Sequence, residues 1–119
     1  MGSVVSLRDV TKHYQRGKQK VEVLHHLDLE VPEGDFVALM GPSGSGKTTL
    51  LNLIGGLDHA DRGQVRVAGA QLDQLSGAQL AAWRARHVGF VFQFYNLMPT
   101  LSAERNVEIP LLLTSLGAR

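Results

Sequence analysis

Apolar positions along this 119-residue chain fall into two patterns, partial alternation and short unbroken runs, and the two predict different surroundings. Residues 4–14 and 21–31 are rich in β-branched and apolar side chains, with Leu27, Leu29 and Val31 alternating against polar neighbours, and the polar stretch 15–20 separates them. They predict two strands paired antiparallel. Pro32, Glu33 and Gly34 make a turn, and residues 36–40 (FVALM) then form a continuous apolar run of the kind buried on both faces of a parallel sheet. Residues 48–55 bring Leu50, Leu51, Leu53 and Ile54 round at helical spacing until Gly55 and Gly56 end the pattern. Further along, residues 64–68 predict a short strand, 75–86 a helix with Leu80 and Trp83 on one face, and 88–92 a second buried strand. Ser102 is placed to cap a helix over 103–113, which Pro110 interrupts.

The strand over 36–40 and the helix from Thr48 are joined by Gly41-Pro42-Ser43-Gly44-Ser45-Gly46-Lys47-Thr48, which matches GxxxxGK followed by Ser or Thr. Each fixed position has a physical task. Glycines let the backbone take left-handed angles and come close to an anion, so that successive N–H groups can point at it. The helix that follows brings its unsatisfied amides and positive dipole end to the same place. Lys47 adds a full charge for the β and γ phosphates, and Thr48 adds a hydroxyl for magnesium. A glycine-rich turn that binds nothing would carry the same letters, but the flanking strand and helix are the context that a phosphate loop requires. ATP or a close relative is the expected ligand.

Composition adds bounds and little else. Apolar residues make up 44% and charged residues 19%, with a formal net charge of +1, so neither nucleic acid nor an anionic membrane surface is implied as a partner. Cysteine is absent, which excludes disulfides and thiolate metal sites and suits a reducing cytoplasm. No apolar stretch approaches the roughly 20 residues that span a bilayer. Arg8, Asp9 and Lys12 break the short apolar run at the N-terminus, which does not read as a secretion signal.

The residues around the loop narrow the class. The run PSGSGKTTLLNLIGGLD (42–58) and the segment HVGFVFQFYNLMPTLSAERNV (87–107) resemble the nucleotide-binding subunits of ATP-binding cassette (ABC) transporters. The likeness is strongest to the branch that drives lipoprotein release and macrolide export, with the cell-division cassette protein a near relative. It implies an α/β phosphate-loop NTPase fold: an ABC-type ATP-binding core over about residues 1–93 with an antiparallel β subdomain, then the Q-loop and the start of a helical subdomain over about 93–119. It also implies ATP and Mg2+ as cofactors, transmembrane permease subunits and a second ATPase subunit as partners, and a peripheral place on the cytoplasmic face of the bacterial inner membrane.

Site residues follow from the same resemblance. Gln93 falls at the Q-loop position, where the glutamine is a magnesium ligand; without the family it reads equally as a polar residue ending a strand. Tyr14 lies where the family carries an aromatic that stacks on adenine, although an aromatic packed at a strand end would look the same. Thr49 follows Thr48 in the loop and is counted with the nucleotide-binding residues. Residues 94–98, including Phe94, Tyr95, Leu97 and Met98, correspond to the stretch that meets the permease.

Leu75-Ser76-Gly77-Ala78-Gln79 nearly spells the family's LSGGQ signature, but it precedes Gln93, whereas the signature follows the Q-loop. Its letters are explained locally, as a capping box between Ser76 and Gln79 with Leu75 and Leu80 at staple positions. No aspartate ends a buried apolar strand after Gln93, so the family's hydrolytic carboxylates, signature and switch histidine are not identifiable. The chain reads as roughly half a cassette that binds nucleotide without hydrolysing it. Arg105 stands where the family usually has glutamate, which removes one half of a capping box with Ser102. A binding-only fragment and a phosphate-loop kinase or GTPase are the alternatives, the latter leaving the Q-loop segment unexplained.

Overall fold

The computed structural model describes residues 2–42, 44–91 and 97–113, with side chains as far as Leu111. Contacts divide the chain into two units, Met1–His87 and Val88–Arg119. In the first, β1 (Ser3–Arg16) and β2 (Gln19–Pro32) form the antiparallel hairpin that their alternation predicts, closed at Gly17 and Lys18 with Arg16 opposite Gln19. β3 (Arg62–Val67) pairs antiparallel with the other side of β1, and β4 (Ala70–Gln71) folds back on β3, giving the order β2-β1-β3-β4. Ala68 and Gly69 link them with φ of 50° and 81°, the double positive that a tight two-residue hairpin turn uses.

β1 does not keep one phase of alternation. Val5 and Leu7 are buried before Asp9, whereas Val10 and Lys12 are buried after it. Asp9 has φ of 53°, and the pairing register shifts between Leu7 and Val10, so one extra residue exchanges the two faces. The exchange puts Lys12, Tyr14 and Arg16 in phase with the buried Val10 and sends His13 to the opposite face. The bulge is held on three sides: the Asp9 amide donates to Asp28 Oδ1 at 2.8 Å, its carboxylate meets the His26 ring, and Gly63 lies against its carbonyl. A Cβ on Gly63 would fall 2.3 Å from the Asp9 oxygen, at a φ of +95°, so no other residue fits there.

Helix α1 (Lys47–Ile54) and helix α2 (Gly77–His87) complete the unit around a core of Leu7, Val10, Leu50, Leu53, Val65, Val67, Leu72, Leu80 and Trp83. The backbone leaving α1 touches α2 closely. A Cβ on Gly56 would lie 3.1 Å from Leu80 and 3.2 Å from Trp83, and Arg84 Nη1 donates to the Gly56 carbonyl at 2.6 Å. The expected capping box opens α2, with the Ser76 amide donating to Gln79 Oε1 (2.9 Å) and the Gln79 amide to Ser76 Oγ (3.2 Å).

Two strand expectations are corrected. Residues 36–40 are irregular, with Phe36 94% and Met40 87% exposed, and residues 88–91 form no strand, Val91 being fully exposed. An apolar run records what a segment can bury, but a strand also needs neighbours for its N–H and C=O groups. None of β1 to β4 pairs with either segment. In the second unit, α3 (Ala103–Glu108) begins at Ser102, whose Oγ accepts from the Arg105 amide at 3.2 Å. It passes into a 3₁₀ segment (Ile109–Leu113) one residue before Pro110, where the ring disfavours continued α-helix. The Asn106 side chain ties the preceding loop to α3, accepting from the Met98 amide (2.8 Å) and donating to the Ser102 carbonyl (2.9 Å).

Candidate nucleotide-binding site

The glycine loop turns on its own backbone. Gly44 and Gly46 have φ of 81° and 98°, the Ser45 amide donates to the Pro42 carbonyl (3.2 Å), and Gly46 is the N-cap of α1, its carbonyl accepting from the Leu50 amide (2.9 Å). The two glycines are needed for different reasons. A Cβ on Gly44 would enter open space, so only the left-handed angle demands glycine there. On Gly46 it would also meet the Val23 carbonyl oxygen at 3.0 Å and Leu24 at 3.2 Å, because the loop is pressed against β2. Lys47 folds its ammonium back to the Gly41 carbonyl, spanning the loop.

A cleft of about 470 Å³ lies where the loop faces the hairpin, lined by Tyr14, Arg16 and Val23 from the strands and by Gly44, Gly46, Lys47, Thr48 and Thr49 from the loop and α1. The bulge at Asp9 delivers the first two. Tyr14, Gly44, Gly46, Lys47, Thr48 and Thr49 are thus brought to one cleft, and Gly41, Pro42 and Ser45 supply the loop's internal bonds. Ser43, Gln93 and residues 94–96 lie outside the described residues.

Arg16 and Val23 were missed by the sequence reading. Strand period offered a signal for both, since Arg16 is two residues beyond Tyr14, and Val23 is two beyond Val21, the cross-strand partner of Tyr14. Asp58 and Lys12 were missed as well. The Tyr14 hydroxyl donates to Asp58 Oδ2 (2.7 Å), while Lys12 Nζ donates to Asp58 Oδ1 (3.1 Å) and to the His59 carbonyl (2.7 Å). The bond to Asp58, with burial second and the Thr49 hydroxyl opposing, holds the phenol above its usual range. Burial alone would raise Asp58, but the bonds from Tyr14, the His59 amide and Lys12 outweigh it and hold the carboxyl below its usual range.

The donor set suits a nucleotide carrying magnesium. The first turn of α1 holds no acidic residue, Lys47, Thr48 and Thr49 of that turn line the cleft, and Arg16 adds a second cation. Among the described residues no cluster of three His, Cys, Asp or Glu could hold a metal. Thr48, which lines the cleft, offers a hydroxyl that a magnesium carried on phosphate oxygens could use.

A glycine loop, a helix N-terminus, a lysine and an aromatic on one cleft are the marks of the phosphate-loop class of nucleotide-binding proteins. The ABC transporter family model matches residues 24–118, and the chain belongs to that family, whose members bind ATP. It is 51% identical over 104 residues to the lipoprotein-releasing system ATP-binding protein LolD of Chromohalobacter salexigens, covering 87% of this chain and 44% of that protein. It is 42% identical to the ABC transporter ATP-binding protein YknY of Bacillus subtilis (98% of this chain, 50% of the relative). It is also 44% identical to the macrolide export ATP-binding/permease protein MacB 1 of Yersinia pestis bv. Antiqua, covering 98% of this chain and 18% of that protein. Among solved structures, the ATP-binding cassette MJ0796 in a dimeric post-hydrolysis state bound to ADP and Pi superposes with a TM-score of 0.87 at 43% identity, over 97% of this chain and 50% of that one. The chain spans about half the length of YknY and of that cassette.

Proposed function

We propose that the chain binds ATP with magnesium in this cleft, as the nucleotide-binding part of an ABC transporter ATPase of the lipoprotein-release or macrolide-export type. The observation that carries the reading is the convergence of the glycine loop, the start of α1, Lys47 and Tyr14 on one cleft. The loop and α1 amides receive the phosphates, Lys47 places its charge on the β and γ groups, and Tyr14 offers a ring face to adenine. Thr48, with Gln93 at the Q-loop position, would hold the magnesium, which when bound neutralises phosphate charge. In this reading the chain alone holds nucleotide without turning it over. The hydrolytic groups that the family resemblance implies belong to the part of the relatives this chain does not span and to a second subunit.

Calorimetric titration tests this. ATP with magnesium should bind the chain, and should bind Lys47→Ala about 10- to 100-fold more weakly; magnesium-dependent phosphate release that disappears in Lys47→Ala would overturn the binding-only reading.

The permease contact is assigned to the second unit. Leu97, Met98, Pro99, Leu101 and Val107 line an apolar hollow of about 410 Å³, with Leu97 and Val107 well exposed and Asn106 bracing its wall. Such a surface suits a membrane-protein partner on the cytoplasmic face of the inner membrane. Val107→Asp in the full-length protein should abolish co-purification with the permease while leaving ATP affinity unchanged; retained co-purification would remove this assignment.

A further inference from the structure

We propose that Asp58 is the positioning residue for Tyr14, and that with Lys12 it sets the cleft's preference for a nucleotide base over a bare phosphate chain; this rests on reading Tyr14 as the adenine platform. The phenolic hydroxyl lies in the ring plane, so its 2.7 Å bond to Asp58 Oδ2 restrains the ring while covering neither face. Lys12 Nζ sits 5.2 Å from the ring centroid and occupies one face. Tyr14 lines the cleft, and in this proposal its other face takes the base.

That ammonium is itself anchored, donating to Asp58 Oδ1 and the His59 carbonyl, with its side chain only 11% exposed. The His59 amide also donates to Asp58 Oδ1, at 2.8 Å. Both carboxylate oxygens are therefore engaged, and Tyr14 is held by a group that is itself held. Asp58 follows directly on the turn that ends α1, where the Leu57 amide donates to the Asn52 carbonyl at 2.8 Å. The helix whose N-terminus meets phosphate thus carries, just past its C-terminus, the anchor of the base platform. A ring fixed beforehand spares the nucleotide the ordering that a free tyrosine would require.

The test compares affinities of the chain for ATP and for inorganic tripolyphosphate by calorimetry. Tyr14→Phe keeps the ring and deletes the hydroxyl, with its bond to Asp58 and its lesser interaction with the Thr49 hydroxyl; it should weaken ATP about three- to tenfold, the loss of roughly one hydrogen bond, and leave tripolyphosphate unchanged. Asp58→Ala should do the same and add nothing to Tyr14→Phe when the two are combined. Should Asp58→Ala fail to fold with Lys12 unpaired, Tyr14→Phe decides alone, because it leaves the Lys12–Asp58 pair in place. If Tyr14→Ala loses ATP affinity while Tyr14→Phe binds ATP normally, or if Tyr14→Phe weakens both ligands equally, the positioning role is overturned and the platform stands. If Tyr14→Ala leaves ATP affinity unchanged, the platform reading itself fails.

Discussion

The two walls of the cleft are built on opposite terms. The strand wall, carrying Tyr14, Arg16 and Val23, belongs to a hairpin whose backbone is paired along its length and whose bulge is braced by Gly63, Asp28 and His26. The loop wall depends on two left-handed glycines and a short helix, and the segment leading into it, residues 36–40, is irregular and exposed. One wall is held by tertiary packing and the other chiefly by local backbone conformation. Damage to the first should unfold the protein, whereas damage to the second should empty the site and leave the sheet intact.

The largest effect is expected at Gly63. Gly63→Ala drives a Cβ into the Asp9 carbonyl at a forbidden φ, and should destabilise the chain by about 3 kcal/mol or prevent folding, measured by chemical denaturation. A loss under about 1 kcal/mol would mean that the bulge can relax and that the strand wall is softer than its packing implies. Next is Lys47→Ala, which removes a charge-assisted contact and should weaken ATP about 10- to 100-fold with no change in midpoint of unfolding. Unfolding alongside lost binding would show that the walls are not separable. Between the loop glycines, Gly46→Ala should cost about 2 kcal/mol and Gly44→Ala about 1 kcal/mol, since both are strained but only Gly46 is pressed against β2. Equal costs would remove the packing argument.

A smaller effect comes from pH. Asp58 and Asp61 are held below the usual carboxylate range, Asp61 mainly by the His13 amide, so the unfolded chain takes up protons first as pH falls. Their contribution is present above the ordinary carboxylate value of about 4 and is lost as pH drops through the folded values. Tyr14 works in the other direction: its phenol is raised, so its contribution is full below about 10 and is lost as pH rises through the folded value. Denaturation across pH should show both edges, and Asp58→Asn should blunt the acid one. The smallest effect is expected from Phe36→Ser, which should change stability by no more than about 0.5 kcal/mol, because the side chain is almost wholly exposed. A large loss would show that residues 36–40 support the loop wall after all.

Much of this was legible in the residues because it is local. The hairpin, the loop, the helix starts at Lys47 and Gly77, the Ser76–Gln79 box and the Ser102 cap each depend on neighbours a few positions away. What failed was the inference from an apolar run to a paired strand at residues 36–40 and 88–91. Pairing is a property of two segments, and periodicity describes one.

Sequence by itself therefore determined the phosphate loop, the helix that follows it and the family, because these rest on residue type at fixed spacing. The tertiary structure decided the faces and the partners. An extra residue at Asp9 inverted the alternation of β1, burying Lys12 and bringing Tyr14 and Arg16 to the cleft, a shift that no count of apolar positions contains. The bond from Tyr14 to Asp58 joins groups 44 positions apart. Contacts of that separation form only when the chain has closed on itself, and their cost in chain entropy is met by the whole core and not by the two residues that benefit.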